Sequence, residues 1–220
     1  MLPNIGEYNM IPIDSIQVIS LPERHDRREI LIPLIKRAIK LGIFPDIEIE
    51  IINRFPVDVT MVPSWWKDTE GYYRSTREHI EILQNLYQRK SSLAMIFEDD
   101  ALIHENFYSG VEEFYQDINN LRPDWAALFL GGRDEKMKGR FPINAISSLN
   151  RGCLGSHAYI VNPYGIRTLH DKASKCEEII DWSYMRLMGS MSCFYSPRNY
   201  MVGTQAGWSD NMKKYVQEEN

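Results

Sequence analysis

The feature that most constrains the fold of this chain is an apolar run that ends in three acidic residues, SLAMIFEDD at 92–100. The apolar residues of this run do not alternate with polar ones, so both faces of the predicted strand at 92–97 are expected to be buried. A strand that is buried on both faces lies inside a sheet with helices on both sides. The run therefore predicts an α/β fold.

Strand and helix patterns alternate along the rest of the chain, which predicts a mostly parallel central sheet with helices on both faces. The other predicted strands are 15–21, 47–52, 125–132 and 154–162, and the predicted helices are 26–42, 75–90, 105–121, 163–173 and 178–189. Ser75 is expected to cap the second helix with Glu78, and Pro33 is expected near the regular start of the first. No repeat or linker is visible, so we predict a single domain over 1–220.

Composition excludes several classes of protein. Hydrophobic residues make up 44% of the chain and charged residues 25%, the balance of a globular protein. A net charge of −5 argues against a nucleic-acid partner, whose binding surface is normally basic. An acidic enzyme still binds a polyanionic ligand when a divalent cation lies between its carboxylates and the phosphates.

The cysteines and the apolar runs predict where the protein resides. Three widely spaced cysteines without a CxxC pair argue against disulfides and a zinc site, so we expect the cytoplasm or another reducing compartment. The N-terminus lacks the pattern of a secretory signal. No apolar run approaches the roughly 20 residues of a membrane span, so no integral membrane segment is expected.

The acidic triplet itself predicts a metal site. Ligands of α/β sheets bind at the carboxyl ends of the strands, where Glu98, Asp99 and Asp100 lie. Period-two alternation would direct Glu98 and Asp100 towards one face, and two converging carboxylates favour Mg²⁺ or Mn²⁺. Such a cation would neutralise a diphosphate leaving group. The alternative is that these residues only favour the start of the following helix.

Four blocks of the sequence, in this order, resemble glycosyltransferase family 25, the group of lipopolysaccharide-type and collagen-type galactosyltransferases. The blocks are VISLPERHDRRE at 18–29, GYYRSTREHIEIL at 71–83, MIFEDDALIHENF at 95–107, and LGSHAYIVNPYGIRTL at 154–169 with DWSYM at 181–185 and QAGWSDN at 205–211. The resemblance implies a GT-A-like fold, a nucleotide-sugar donor, a divalent metal and inversion at the anomeric carbon.

The resemblance also implies roles for individual residues. Glu98 and Asp100 would be the DxD-like pair, with Asp100 preferred for the metal and Glu98 or Asp99 for the ribose or a bound water. The donor's nucleotide or diphosphate would be bound by guanidinium groups, with further residues lining the donor site. These candidates are Arg24, Arg27 and Arg28 for the phosphates, and Ser75 and Arg77 for the lining.

Inversion requires a base on the acceptor side, and a carboxylate is the usual choice. Asp181 is the candidate, beside Trp182, which could stack on a sugar. Its alternative role is to cap the helix that follows. Asp134 is the alternative base.

Other residues of the resemblance have two readings each. His157 either contacts metal or phosphate or is a structural histidine. The tail residues either close the donor pocket or fix the C-terminus, and the tryptophan pair either stacks on acceptor sugar or is buried. These residues are Gln205, Ser209 and Asp210 in the tail, and Trp65 and Trp66 in the pair. Gly131 and Gly132 are expected to let the backbone turn close to a ligand.

The predicted function is thus a metal-dependent inverting hexosyltransferase. It would transfer galactose or glucose from a UDP-sugar to a hydroxyl group of a glycan, a lipid-linked sugar or a protein. The alternatives are a domain of the same fold that binds a nucleotide sugar or glycan without turnover, and a nucleotidyltransferase. The second of these normally has a Gly-rich loop with a lysine near the first strand, which ISLPERHDRR lacks.

Overall fold

The computed structural model describes residues 10–52, 62–132, 146–148, 155–175, 177–197, 199–209 and 214–217. Its helices are α1 (His25–Lys40), α2 (Glu70–Arg89), α3 (Glu105–Leu121), α4 (Pro163–Ala173) and α5 (Ile180–Ser190). Its strands are β1 (Ser15–Ile19), β2 (Ile49–Ile52), β3 (Ala94–Glu98), β4 (Ala101–Ile103), β5 (Ala127–Phe129), β6 (Ile146–Ser148), β7 (Ala158–Val161), β8 (Phe194–Pro197), β9 (Val202–Thr204), β10 (Gly207–Ser209) and β11 (Lys214–Val216).

Within the described residues, seven strands form one sheet in the order β2-β1-β3-β7-β5-β8-β6. Strand β1 pairs in parallel with β2 and β3, and β5 pairs in parallel with β8. Strand β7 is antiparallel to both of its neighbours, and β6 is antiparallel to β8 at one edge. Most strands therefore run in one direction, which confirms the predicted α/β class.

Helices cover both faces of this sheet. One buried cluster joins residues of α1 and α3 to one side of β1, β3, β5 and β7, for example Leu31 and Phe107 with Phe97. The other cluster joins α2, α4 and α5 to the opposite side, for example Leu83 and Leu169. Successive β3 side chains belong to opposite clusters because Cβ atoms alternate across a strand.

Strand β3 is buried along both faces, as its uninterrupted apolar run predicts. It ends at Glu98, and the chain turns at Asp99 and Asp100 before β4. Strand alternation therefore does not extend to Asp100, and the expectation that it shares a face with Glu98 for that reason is wrong. Ile19 pairs with Glu98, so the carboxyl ends of β1 and β3 meet.

Two helix details differ from the sequence predictions. Helix α2 begins at Glu70 rather than at 75, and Thr69 caps it by accepting a hydrogen bond from the Tyr72 N–H. Ser75 is therefore inside the helix and not its cap. Pro33 lies in the middle of α1, where it is exposed, so solvent can satisfy the carbonyl that loses its helical partner.

Candidate functional site

A cleft of about 230 Å³ lies at the carboxyl ends of β1 and β3. Six carboxylate residues and two arginines line it, so its charge favours a cation. The lining residues are Glu23, Glu70, Glu78, Glu98, Asp99 and Asp100, with Arg27 and Arg74, and with Ile19, Ser20, Leu21, Gly71, Ser75 and Ser209. A free diphosphate would be repelled here unless a divalent cation bound beside it.

Helix α2 contributes one face to this cleft. Glu70, Arg74 and Glu78 follow one another at intervals of four residues, and Gly71 and Ser75 lie beside them. Arg74 lies 3.5 Å from the Glu70 carboxylate. The five residues face the cleft because the apolar stripe of α2 is buried against the sheet on its other side.

A buried chain of hydrogen-bonding groups fixes the position of the Glu98 carboxylate. Its Oε1 lies 3.2 Å from His79 Nε2 and accepts a hydrogen bond of 2.5 Å from Ser156. His79 Nδ1 lies 2.9 Å from the Tyr159 hydroxyl, which lies 3.4 Å from that of Tyr184. Burial alone would raise the pKa of Glu98, but the contacts with His79 and Ser156 outweigh it and lower this pKa.

Asp99 forms a buried ion pair with Arg27. The distance from Arg27 NH1 to Asp99 Oδ1 is 2.8 Å, and both side chains are about nine-tenths buried. Burial raises the pKa of the Asp99 carboxyl, and the ion pair offsets only part of that rise. The turn after β3 is also fixed by Gln205, whose side-chain amide donates to the backbone carbonyls of Asp99 and Ala101.

Asp100 is more open than its two neighbours. Its side chain is 25% exposed, and Arg27 NH1 lies 3.8 Å from its Oδ2. Among the three acidic residues of the turn, it therefore presents the most accessible carboxylate to the cleft.

Glu78 is a lining residue that sequence reasoning missed. It is only 4% exposed, and its Oε1 accepts no hydrogen bond among the described residues. Burial raises its pKa to about 8; nearby Arg74 lowers this pKa, whereas Glu98 and Asp99 raise it further. In the sequence its position three after Ser75 indicated a helix cap, so no chemical role was predicted for it.

Of the three predicted phosphate-binding arginines, the structure brings Arg27 to the cleft. Arg24 instead pairs with Asp26, with Nε and NH2 donating to the carboxylate at 3.0 and 2.9 Å. Arg28 donates to Ser20 Oγ and to the carbonyls of Leu21 and Pro22. Arg24 and Arg28 are not among the lining residues, and their binding of a donor stays a prediction.

The candidate base Asp181 lies in the first turn of α5 and not at its cap position, which is Ile179. It is not among the residues that line the cleft. Burial raises the pKa of Tyr184, and the negative charge of Asp181 raises it further. Asp181 is therefore close to the chain of hydrogen-bonding groups that ends at Tyr184. Trp182 beside it is 44% exposed. Asp134 lies outside the described residues.

The remaining predicted residues have these positions. His157 is buried, and its Nε2 lies 3.3 Å from the Val202 carbonyl. A Cβ on Gly131 would lie 2.1 Å from that His157 nitrogen. The absence of a side chain at Gly131 therefore leaves the space that the His157 ring occupies. Trp65 is 53% exposed and Trp66 is buried. Ser209 lines the cleft, Arg77 is not among its lining residues, and Asp210 lies outside the described residues.

A larger groove of about 890 Å³ runs between α1 and β2. Isoleucine and lysine side chains dominate its lining, and Arg28 is the one predicted site residue among them. Two carboxylate residues line it, Asp46 and Glu48, compared with six in the cleft, and neither is a predicted site residue. The cleft at β3 is therefore the stronger candidate site, although it is smaller.

The cleft fits a hard divalent cation in the chemistry of its donors. Asp100 offers an accessible carboxylate, and Glu78 offers a buried oxygen that needs a partner. Mg²⁺ and Mn²⁺ commonly take one or two protein carboxylates and complete their coordination with water and phosphate oxygens. Within the described residues, no group of three or more His, Cys, Asp or Glu side chains converges as a preformed metal cluster.

The described part of the chain contains five helices and one cysteine. None of its helices combines the length and the apolar character needed to cross a membrane. Cys193 is buried with a free thiol. Cys153 and Cys176 lie outside the described residues.

Comparison with known proteins finds no matching family model and no matching curated protein, so the resemblance to glycosyltransferase family 25 stays a prediction. The chain is similar to a solved structure of "a glycosyltransferase involved in the glycosylation of the major capsid of PBCV-1", with 12% identity and a TM-score of 0.45 over 74% of this chain and 66% of that chain. It is also similar to A197 from STIV, with 12% identity and a TM-score of 0.46 over 96% and 95% of the two chains. These similarities are too low to carry a function from either protein to this chain.

Proposed function

We propose that this chain is a metal-dependent inverting glycosyltransferase with a GT-A-like fold in one domain over 1–220. It transfers a hexose, galactose or glucose, from a UDP-sugar to a hydroxyl group of a glycan, a lipid-linked sugar or a protein. The observation that carries the proposal is the acidic turn after β3, where Asp100 opens into a carboxylate-lined cleft. The resemblance of the sequence blocks supports the class of donor.

In this proposal Asp100 holds Mn²⁺ or Mg²⁺, with Glu98 as the second candidate ligand that the sequence indicates. When bound, the cation would neutralise the charge that develops on the diphosphate as its bond to the sugar breaks. Arg27 and Ser75 lie in the cleft and would contact the donor beside it. Asp181 is the proposed base that accepts the proton of the acceptor hydroxyl, and Trp182 beside it would stack on the acceptor sugar.

The first prediction concerns donor binding. UDP-, GDP- and ADP-sugars are tested by thermal shift with and without Mn²⁺, because a ligand that binds only the folded state raises the melting temperature. We expect a metal-dependent rise with a UDP-sugar, and we expect Asp100→Ala to abolish it. Asp124→Ala is the control, because Asp124 is 66% exposed and outside the cleft. An unchanged rise in Asp100→Ala would remove this residue from the metal site.

Turnover separates the proposed enzyme from a binding domain of the same fold. A UDP-sugar that raises the melting temperature is then incubated with Mn²⁺. We expect it to be hydrolysed slowly to free sugar, because water takes the place of the acceptor. Donor binding without any hydrolysis or transfer would favour the non-catalytic alternative. Release of pyrophosphate from a nucleoside triphosphate and a sugar phosphate would instead indicate a nucleotidyltransferase.

A further inference from the structure

We infer that Glu78 of helix α2, rather than Glu98, supplies the second carboxylate ligand of the divalent cation beside Asp100. This inference rests on the cation of the proposed function and deepens it, since it assigns to the metal a helix residue that the sequence did not indicate. The cation would then lie between the turn after β3 and the face of α2, bound from both sides of the cleft.

The first step is that the other carboxylates beside Asp100 already have protein partners. Glu98 has both His79 and Ser156 at its Oε1, and Asp99 has Arg27 at its Oδ1. A cation at either carboxylate would compete with these donors, and Arg27 is closer to Asp99, at 2.8 Å, than to Asp100, at 3.8 Å. Glu70 lies 3.5 Å from Arg74, and Glu23 is exposed to solvent.

The second step is that Oε1 of Glu78 lacks such a hydrogen-bond donor among the described residues. Its Oε1 is buried and accepts no hydrogen bond among the described residues, yet Glu78 lines the cleft. A buried carboxylate without a partner is costly, and a cation in the cleft would remove that cost. Its raised pKa agrees with this geometry, because burial raises the pKa and the nearby Arg74 offsets only part of that rise.

The third step is that two carboxylates from different elements of the same cleft suit the chemistry of the site. Asp100 is 25% exposed and comes from the turn after β3, while Glu78 comes from α2. Mg²⁺ and Mn²⁺ bind through one or two carboxylates and leave other positions for water and phosphate oxygens. His79 would keep the Glu98 carboxylate in the same position whether or not the cation is bound.

The experiment measures Mn²⁺ binding to the full chain by the loss of the free Mn²⁺ electron paramagnetic resonance signal, with and without UDP. The variants are Glu78→Gln, Glu98→Gln and Asp100→Asn. Glu81→Gln is the matched control, because Glu81 is on the same helix but does not line the cleft. We expect Glu78→Gln and Asp100→Asn each to weaken binding by about tenfold or more. Glu81→Gln and Glu98→Gln should change it by less than about threefold.

The melting temperature of each metal-free variant shows whether it is folded. If Glu78→Gln does not fold, Glu78→Asp replaces it, and the shorter carboxylate should also weaken Mn²⁺ binding. Wild-type affinity in the folded Glu78 variant, or a loss in Glu98→Gln without a loss in Glu78→Gln, would overturn the inference. So would a wild-type chain that binds no Mn²⁺ with or without UDP.

These outcomes are independent of the outcome for the proposed function. Binding of Mn²⁺ that depends on Glu78, in a chain that neither binds nor cleaves a UDP-sugar, would support the metal ligand and refute the glycosyltransferase. Mn²⁺-dependent cleavage of a UDP-sugar that is unaffected by Glu78→Gln would support the enzyme and refute the ligand.

Discussion

Acidic residues of the same cleft differ in proton affinity because each meets a different neighbour. Glu98 has His79 and Ser156 within hydrogen-bonding distance, and its pKa falls. Glu78 is buried without a hydrogen bond at Oε1, and its pKa rises to about 8. Burial acts on both groups in the same direction, so the donors around each carboxylate decide the sign.

The raised pKa of Glu78 predicts how stability depends on pH in the metal-free chain. The folded state binds this proton more tightly than the unfolded state, whose reference pKa is 4.5. The stabilisation is therefore fully present below pH 4.5 and is lost as the pH rises through about 8. Urea unfolding at several pH values should show wild type losing on the order of 3 kcal/mol relative to Glu78→Gln between about pH 5.5 and 8.

The comparison with the glutamine variant isolates this group, because every other carboxylate is common to both chains. Parallel stability curves for the two proteins would mean that Glu78 keeps an ordinary pKa. The measurement is made with a chelator, since a bound cation would favour the ionised carboxylate.

The close packing of helix α4 on the sheet depends on one glycine, Gly165. Helix α4 begins after Asn162, whose side chain accepts a hydrogen bond of 2.9 Å from the Gly165 N–H. At Gly165 a Cβ would lie 1.9 Å from the Ala126 carbonyl oxygen. The first turn of α4 therefore contacts the backbone beside β5 directly, and only glycine permits that approach.

This contact predicts opposite effects for two glycine substitutions. Gly165→Ala should lower the free energy of unfolding by about 1–3 kcal/mol, because backbone atoms would have to separate. Gly189 is also helical, in α5, and a Cβ there meets no atom within 4 Å. Gly189→Ala should therefore raise the free energy of unfolding by about 0.5 kcal/mol through helix propensity. Equal effects in chemical denaturation would contradict the packing of α4.

At the scale of the whole molecule, one buried chain of polar groups links the site to helix α5, on the face of the sheet that α2, α4 and α5 cover. It runs from Glu98 at the end of β3 through His79 of α2 and Tyr159 of β7 to Tyr184 of α5. The two tyrosines and His79 are at most 1% exposed. The position of Glu98 therefore depends on how α2 packs on the sheet.

Two tyrosine substitutions test this series of hydrogen-bonded groups, since each removes one buried hydroxyl. Tyr159→Phe removes the group that contacts His79 Nδ1, and it leaves a buried nitrogen without its partner, at a cost of about 1–3 kcal/mol. Tyr184→Phe removes only the 3.4 Å contact at the end and should cost less than about 1 kcal/mol. Calorimetry that found the larger loss in Tyr184→Phe would contradict this arrangement.

Patterns that are local in the sequence predicted most of the elements. Helices α3 and α4 have the predicted limits, because each has clear apolar spacing and a proline at or just beyond one end. The start of α2 was wrong by five residues, since Ser75 and Glu78 imitate a capping box. The helix begins at Glu70 instead, after the cap residue Thr69, whose carbonyl accepts a hydrogen bond from Trp66 Nε1.

The amino-acid sequence by itself determined the α/β class, the buried strand β3 and the location of the acidic turn. These features follow from the local pattern of apolar residues and from the free-energy cost of burying charge. Both can be recognised from residues that are close together in the sequence. Only the tertiary structure decided which carboxylates are available. His79 reaches Glu98 across 19 positions of sequence, and Arg27 reaches Asp99 across 72, so their pairing depends on how helices pack on the sheet. Glu78 enters the site for the same reason.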